Sequence, residues 1–586
     1  MRGGTGMHAY RVKVAAAAQE LEIELTIDAV AGSVLLEVPT WVPGAYAFMK
    51  FGRDLFEFSA EDGRGAPLAV VRESWNGWRI ATTGKLVVRY RAVASDPGVW
   101  SELAGVVRHD QAILMGTRYL RAAGYDGPCR VTYELPAGWP VHHPAGGAKI
   151  GDATWEYPSF DALLDSPFVA GAFDHASRPL HGATFHFVFL DRTVGFDDES
   201  GHLIDEFMKV AEGCHAIFGS FPFEHYTFVC TFDPRAHWGL EHACATLIGL
   251  GEVAFVDPDA RIAAVRVAGH ELVHAWNVCR LKPAALTGLD LSSGSYPDGL
   301  WLSEGFTRYY ELLLAVRSGA LTPARFLSNI ARYYRHLVAA PAYRRATVVD
   351  SSIGTFTNHN RFPGSINATI DYYDKGMLIA FDMDAQLRAA ASPSSLDAAF
   401  RAFYDAFAAG GFTHDDARRF FEARGIGALF AREVEGTGGL STPDRLRDLG
   451  FEPSFTTVAQ LGIVLREGRG PAVSNVVDDG PAAAAGIAVE DDILEIDGYP
   501  YQARSFAYLI ARERPIAITV RRGQTRHVFH VEPRRASVLS HLTWRGGERE
   551  RALVRDWLGR PDAIFEDGAV VPLDHYDNFH GVETVI

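Results

Sequence analysis

Five consecutive residues, His270-Glu271-Leu272-Val273-His274, carry the clearest chemistry in this chain. Histidines four positions apart lie on one face of a helix, about a turn from each other, so both imidazoles reach one metal ion. The glutamate next to the first histidine can approach a water acidified by that metal and take its proton as the water attacks a carbonyl. The H-E-x-x-H spacing therefore implies one Zn2+ per chain, with His270 and His274 as ligands and Glu271 as general base. The plain alternative is two part-exposed histidines on an ordinary helix. Against it stands a helix start built into the sequence upstream, at Asp257-Pro258. A catalytic zinc also needs a third protein ligand, and a candidate lies downstream.

These residues need elements to hold them. Asp257 as N-cap and Pro258 at the first helical position open a helix that should run to about residue 277. A second helix should begin near Asp298 and continue past Leu313. Before them, residues 202–217 read as an amphipathic helix and 225–232 as a strand. Gly239-Leu240-Glu241-His242 falls on a predicted edge strand. Further helical stretches lie at 380–390, 396–408 and 415–423.

The rest of the chain is patterned differently. Residues from about 8 to 190 alternate as half-buried strands do, as in 21–27, 85–93, 129–135 and 184–190. Turns such as Pro43-Gly44, Asp96-Pro97-Gly98 and Ala137-Gly138 separate them, and an all-β sandwich is the natural reading. Strand periodicity returns near Pro453. A segment from Gln460 to about Pro533 contains Leu461-Gly462-Ile463, a Gly480-Pro481-Ala-rich stretch and Asp492 to Gly498. The tail, 536–586, holds one short helix near 548–557.

Composition narrows the class. The 586 residues are 48% hydrophobic and 22% charged, ordinary values for a packed globular chain of several domains. The net charge of −16, from 56 basic and 72 acidic residues, would repel a phosphate backbone, so nucleic acid is not an expected partner. Five scattered cysteines suit a reducing compartment better than a disulfide framework. With no signal-like or membrane-spanning apolar run, the expected location is the cytoplasm.

The sequence Trp301-Leu302-Ser303-Glu304-Gly305-Phe306 resembles the W-L-x-E-G-F segment of gluzincin aminopeptidases, which supplies their third zinc ligand. That likeness assigns the ligand to Glu304. Twenty-nine residues separate His274 from Glu304, more than in the best-known gluzincins, and the Gly-, Ser- and Pro-containing segment 281–299 can form a loop between the two helices. Gly239-Leu240-Glu241-His242 is similar to the G-L-E-H form of the glycyl aminopeptidase family. The resemblance implies that Glu241 pairs with the substrate α-amine and that Gly239 lets the substrate backbone approach. His242 stands where the larger aminopeptidases carry Asn. Tyr372-Tyr373-Asp374-Lys375-Gly376 resembles a Y-x-K-G motif whose tyrosine stabilises the oxyanion; that assigns Tyr373, with Tyr372 as the alternative if the register is off by one. The segment 456–535 resembles a PDZ domain, which binds peptide ends by strand addition and takes their carboxylate on loop amides.

The chain is thus identified as resembling the glycyl aminopeptidase family, an M61-type gluzincin. The implied fold is multidomain α+β: an N-terminal β-sandwich (8–190), a thermolysin-like domain, mixed then helical (191–455), a PDZ-like domain (456–535) and a tail (536–586). The implied activity is removal of N-terminal Gly or Ala from peptides with a free amino end. Two competitors are a thermolysin-like endopeptidase, which would have no use for Glu241, and a PDZ-based peptide-binding protein with an idle zinc site. The chain ends Glu583-Thr584-Val585-Ile586, a pattern that PDZ domains bind, so the tail itself is a candidate ligand for the module.

Overall fold

The computed structural model describes residues 6–42, 44–95, 105–144, 146–232, 238–288, 290–355, 362–466, 471–512, 514–563, 565–573 and 585–586. The expected turn at Asp96-Pro97-Gly98, together with Pro43 and Thr584, lies outside them. The chain divides into two compact units, Met1–Ser295 and Tyr296–Ile586.

The first unit is rich in sheet. Strands β1 (His8–Ala15), β2 (Glu20–Val30), β3 (Gly84–Val93) and β4 (Cys129–Glu134) lie in an eight-stranded sheet. Alternate residues face inward, as the period-two pattern requires: Tyr10, Val12 and Val14 on β1, and Leu21, Ile23, Leu25 and Ile27 on β2, are all buried. Two four-stranded sheets share this core; one includes β5 (Val141–His142).

A five-stranded sheet follows. It contains β6 (Asp174–Leu180), β7 (Ala183–Phe189), β8 (His225–Phe232), β9 (Trp238–His242) and β10 (Ala245–Leu250), in the spatial order β6-β7-β8-β10-β9. The segment with Glu241 is therefore an edge strand among those described, as its sequence suggests. Helix α1 (Phe196–Phe218) connects β7 to its parallel neighbour β8. It begins six residues before the start read from amphipathicity. Gly195, at φ 85°, caps it, and Asp197, Asp198 and Glu199 fill its first turn, where carboxylates suit the positive end of the helix dipole. Those acids carry no apolar periodicity, which is why the sequence pattern passed over them.

Helix α2 (Pro258–His274) starts as expected, with the Asp257 side chain accepting from the N–H groups of Asp259 and Ala260. It ends three residues earlier than the sequence reading, at His274. Val278 takes φ 83° and the chain folds back, with the Cys279 N–H donating to the His274 carbonyl and the Leu281 N–H to that of Trp276.

The second unit is helical first. Its long helices α3 (Leu300–Ser318) and α4 (Tyr372–Ala389) pack closely. Helix α4 starts eight residues before the predicted 380, because Asp371 caps it and accepts from the N–H groups of Tyr373 and Asp374. Helix α5 (Glu548–Leu558), in the tail, lies against α3: Trp557 Nε1 donates to the Tyr309 hydroxyl at 2.8 Å, and that hydroxyl donates to Asp384.

The segment from 461 to 531 builds its own small core from Leu461, Ile463, Val473, Ile493, Ile518 and Val520, with a four-stranded sheet and two short helices around it. Its first loop holds the end of the sequence. The N–H groups of Leu461, Gly462 and Ile463 all point to Ile586 O, at 3.0, 2.8 and 3.2 Å, and the Ile586 N–H donates to Ile463 at 2.9 Å. Gly462, at φ 79°, makes the turn that lets successive amides converge.

Among the described residues, no helix is long and apolar enough to cross a membrane.

Candidate active site

The two units each carry a set of the residues singled out above. In the first unit, His270 and His274 lie at the end of α2, both buried, with ring centroids 4.6 Å apart and planes nearly perpendicular. The fold-back after α2 places the Asn277 carbonyl 3.0 Å from His274 Nδ1. A carbonyl only accepts, so Nδ1 carries the proton and Nε2 keeps its lone pair. That is the tautomer a metal ligand requires. A pair of buried imidazoles on one helix face, one with its tautomer set by a backbone carbonyl, is a donor set that fits zinc.

Glu271 is buried between them in sequence. Its backbone carbonyl accepts from the Tyr226 hydroxyl at 3.2 Å. Its side chain runs against β9 at Gly239: a Cβ built there would come 2.1 Å from Glu271 Oε1. Gly239 therefore leaves the space that the Glu271 carboxylate occupies. The sequence reading gave that glycine to a substrate backbone; the structure adds a demand from the protein's own side chain.

Glu241, two residues along β9, is also buried. Ligand atoms of Glu241, Glu271 and His274 all lie within 4.8 Å of one another. Two carboxylates this close in a buried site raise each other's energy unless positive charge is brought between them.

A loop the sequence reading treated as a mere separator reaches this cluster. The Tyr46 hydroxyl donates to Glu241 Oε1 at 3.3 Å, and Gly44, at φ 82°, passes so near that a Cβ there would sit 2.8 Å from Glu241 Oε2. Tyr46 itself has φ 45°, a strained setting for a residue with a side chain. A Gly followed two residues later by Tyr is the signal that was there to find, but it resembles any surface turn. His242 is turned to another partner. Its Nδ1 lies 3.0 Å from Asp165 Oδ1, and the Ala243 N–H donates to the other oxygen of the same carboxylate.

In the second unit, Glu304 is buried on α3. The following residue, Gly305, meets α4 backbone to backbone: a Cβ there would come 2.4 Å from Gly376, and one on Gly376 would come 2.3 Å from the Trp301 carbonyl. The glycines of both motifs thus bring the two helices together. They set the start of α4, with its tyrosines, beside the helix that carries Glu304.

Tyr372 and Tyr373 stack at 4.8 Å between centroids but differ in surroundings. Tyr372 is buried, and its hydroxyl is 3.0 Å from Thr355 Oγ1. Burial, then the Glu304 carboxylate, push its phenol far above the usual range. Tyr373 is half-buried and lies under the Arg308 guanidinium, 4.6 Å from the ring centroid. Arg308 in turn pairs with Asp374.

Two family models match the sequence. One, described as M61 glycyl aminopeptidase, spans residues 263–379; the other, the peptidase M61 N-terminal domain, spans residues 9–172. No curated protein matches in sequence. Among solved structures, an aminopeptidase N family protein from Idiomarina loihiensis is 22% identical, with a TM-score of 0.85 over 94% of this chain and 100% of that one. An M1 zinc metallopeptidase from Deinococcus radiodurans is 14% identical, with a TM-score of 0.42 over 73% of this chain and 92% of that one.

Proposed function

The chain belongs to the M61 glycyl aminopeptidase family and is a peptidase, and from that premise we propose that it is a zinc-dependent aminopeptidase. It hydrolyses the N-terminal bond of peptides with a free amino end, preferring small residues such as Gly and Ala. The side-chain preference rests on the family. The observation that carries the aminopeptidase reading is the buried cluster of Glu241, Glu271 and His274. It gathers more negative charge than general-base chemistry needs, and a substrate ammonium is the cation that would answer it. An endopeptidase would gain nothing from Glu241.

His270 and His274, from the H-E-x-x-H spacing, and Glu304, from the W-L-x-E-G-F resemblance, are the proposed ligands of one Zn2+. Bound zinc would supply Lewis acidity, polarising the scissile carbonyl and acidifying a water. The protein's own groups divide the remaining work. Glu271 takes the proton from the attacking water and returns it to the leaving nitrogen. Tyr373, the tyrosine that the Y-x-K-G resemblance assigns, donates its hydroxyl to the carbonyl oxygen as that oxygen gains charge; the Tyr372 hydroxyl is engaged with Thr355. Glu241, held by Tyr46, accepts from the α-ammonium. Edge strand β9 offers its backbone to the substrate at Gly239, and His242, oriented by Asp165, lines the same strand.

The assay uses Gly-, Ala- and Leu-terminated peptides, free and N-acetylated, with and without chelator. Rapid turnover of free Gly and Ala peptides, lost with chelator and absent for acetylated ones, is the expected result. Efficient cleavage of acetylated peptides would replace this reading with the endopeptidase one.

We propose the four functional parts that the sequence suggests, 8–190 as a β-sandwich, 191–455 as a thermolysin-like catalytic part, 456–535 as a PDZ-like module and 536–586 as a tail, with one change: β6 and β7 share a sheet with β8 to β10 and so go with the catalytic part, which moves the first boundary back to about residue 173. The module reading is supported by the three amides that converge on Ile586. Peptide ends are its proposed ligands, and the chain's own Val585-Ile586 is the first of them. Val585 packs with Val464 and Val477 of the module and with Ala340 and Ile366 of the helical region, so the tail also seals that junction. Deleting residues 584–586 should raise the affinity for an added peptide ending Thr-Val-Ile; unchanged affinity would remove the tail as a ligand.

A further inference from the structure

Four histidines gather on one face of the five-stranded sheet, in the first unit and on different residues from those of the proposed peptidase site. His175 on β6 is paired with Val188, and His186 on β7 with Ser177, so the two histidines are diagonal neighbours on the same face. His186 is level with Thr227 on β8, and His225 opens that strand. The alternate residues of β7, Phe185 and Phe187, are buried on the opposite face. From the neighbouring four-stranded sheet, His142 on β5 reaches over, its Nε2 3.0 Å from Thr227 Oγ1.

The rings face each other through nitrogen. His175 Nε2 is 3.1 Å from His186 Nδ1, and His186 Nε2 is 3.1 Å from His225 Nδ1. The His142 centroid is 5.1 Å from that of His175 and 5.3 Å from that of His186. One nitrogen from each of His142, His175 and His186 falls within 4.8 Å of the others. Imidazoles binding one zinc at about 2.0–2.1 Å hold their nitrogens roughly 3 to 3.5 Å apart, so the His175–His186 spacing already fits and His142 needs a small side-chain turn. Burial, then the neighbouring rings, push His142 down to about 3 and His186 to about 4, and burial lowers His175. All three are neutral near pH 7, the state that coordinates.

We propose that His142, His175 and His186 form a second metal site, which takes a late first-row divalent cation, Zn2+, Ni2+ or Cu2+, through three imidazole nitrogens. Imidazole suits these ions, and the ligand set contains no hard oxygen donor that would favour Mg2+ or Ca2+. With ligands on β5, β6 and β7, the ion would clamp the N-terminal sheets to the five-stranded sheet. A purely structural cluster would hold itself together by hydrogen bonds between neutral rings and would bind nothing.

The test compares ion counts, so it does not depend on what the peptidase site holds. Metal-free full-length protein is titrated with Zn2+, and separately with Ni2+, by calorimetry, and the bound metal is counted by mass spectrometry. The chain with His175→Gln and His186→Gln should bind one ion fewer than the wild type and lose the rise in Tm that accompanies that ion. Its peptidase rate with saturating zinc should stay at the wild-type level. His181→Gln, which alters the separate group of His181, Glu212 and His215, is the control and should leave the count unchanged. Equal ion counts in the wild type and the double variant would overturn the proposal, as would loss of the extra ion in the His181 control alone. His175 is exposed and His186 part-buried, and an unchanged peptidase rate reports that the variant is folded.

Discussion

Glycine does two different jobs in the two units. At Gly239 the missing side chain makes room for a polar group: the Glu271 carboxylate fills the space beside edge strand β9. At Gly305 and Gly376 the missing side chains let two helix backbones touch, and no functional side chain enters the gap. The first arrangement sets a buried carboxylate against an edge strand. The second makes a rigid base for a buried acid and a pair of tyrosines. The lesson is that a motif glycine cannot be interpreted from its motif. What its absent Cβ would strike decides whether it serves chemistry or architecture.

The comparison can be tested by substitution, and the largest effect is expected at Glu271. Glu271→Gln keeps the shape and the metal but removes the base, and turnover should fall by about 10²–10⁴. Metal analysis is the check: loss of zinc in this variant would make Glu271 a ligand instead. Next is Tyr373→Phe, for which kcat should drop by about 10²–10³ with little change in KM, since an oxyanion donor acts in the transition state. Tyr372→Phe gives up a hydroxyl bonded to Thr355 and should cost stability more than rate; kinetics that reverse these two would exchange their roles.

A matched pair of glycine variants then addresses the comparison itself. Gly239→Ala should displace Glu271 and lower kcat by about 10²-fold, with Tm nearly unchanged. Gly305→Ala should destabilise the helical unit by about 1–3 kcal/mol, through overpacking against α4, and show as a lower Tm. If both variants lose Tm equally, the proposed division between chemistry and architecture is wrong. The smallest effect is expected for Tyr46→Phe. Its bond to Glu241 is long, so KM for free peptides should rise by about tenfold or less, with kcat preserved.

Much of this was legible in the chain. Strong local periodicity marked β2, β3, β8 and the N-terminal stop of α2, because each is set by residues a few positions apart. The ends of helices were less legible. Helix α1 begins with three acids that have no apolar period, and α2 stops where Val278 turns left-handed, which no residue preference announces. The terminal Val585-Ile586 had the pattern of a ligand, but a pattern does not choose between its own module and another chain. The structure seats it on the loop of Leu461 to Ile463.

By itself, the sequence determined which chemistry is available: two histidines at helical spacing, an acid between them, and the further motifs that make the family recognisable. These depend on covalent spacing, and spacing is written in the chain. Only the tertiary structure decided which distant groups meet. Tyr46 reaches Glu241 across 195 positions, the Asn277 carbonyl settles the His274 tautomer, and three strands bring His142, His175 and His186 face to face. The reason is physical: a contact between remote residues depends on how whole sheets and helices pack, and no short stretch of the chain contains that information.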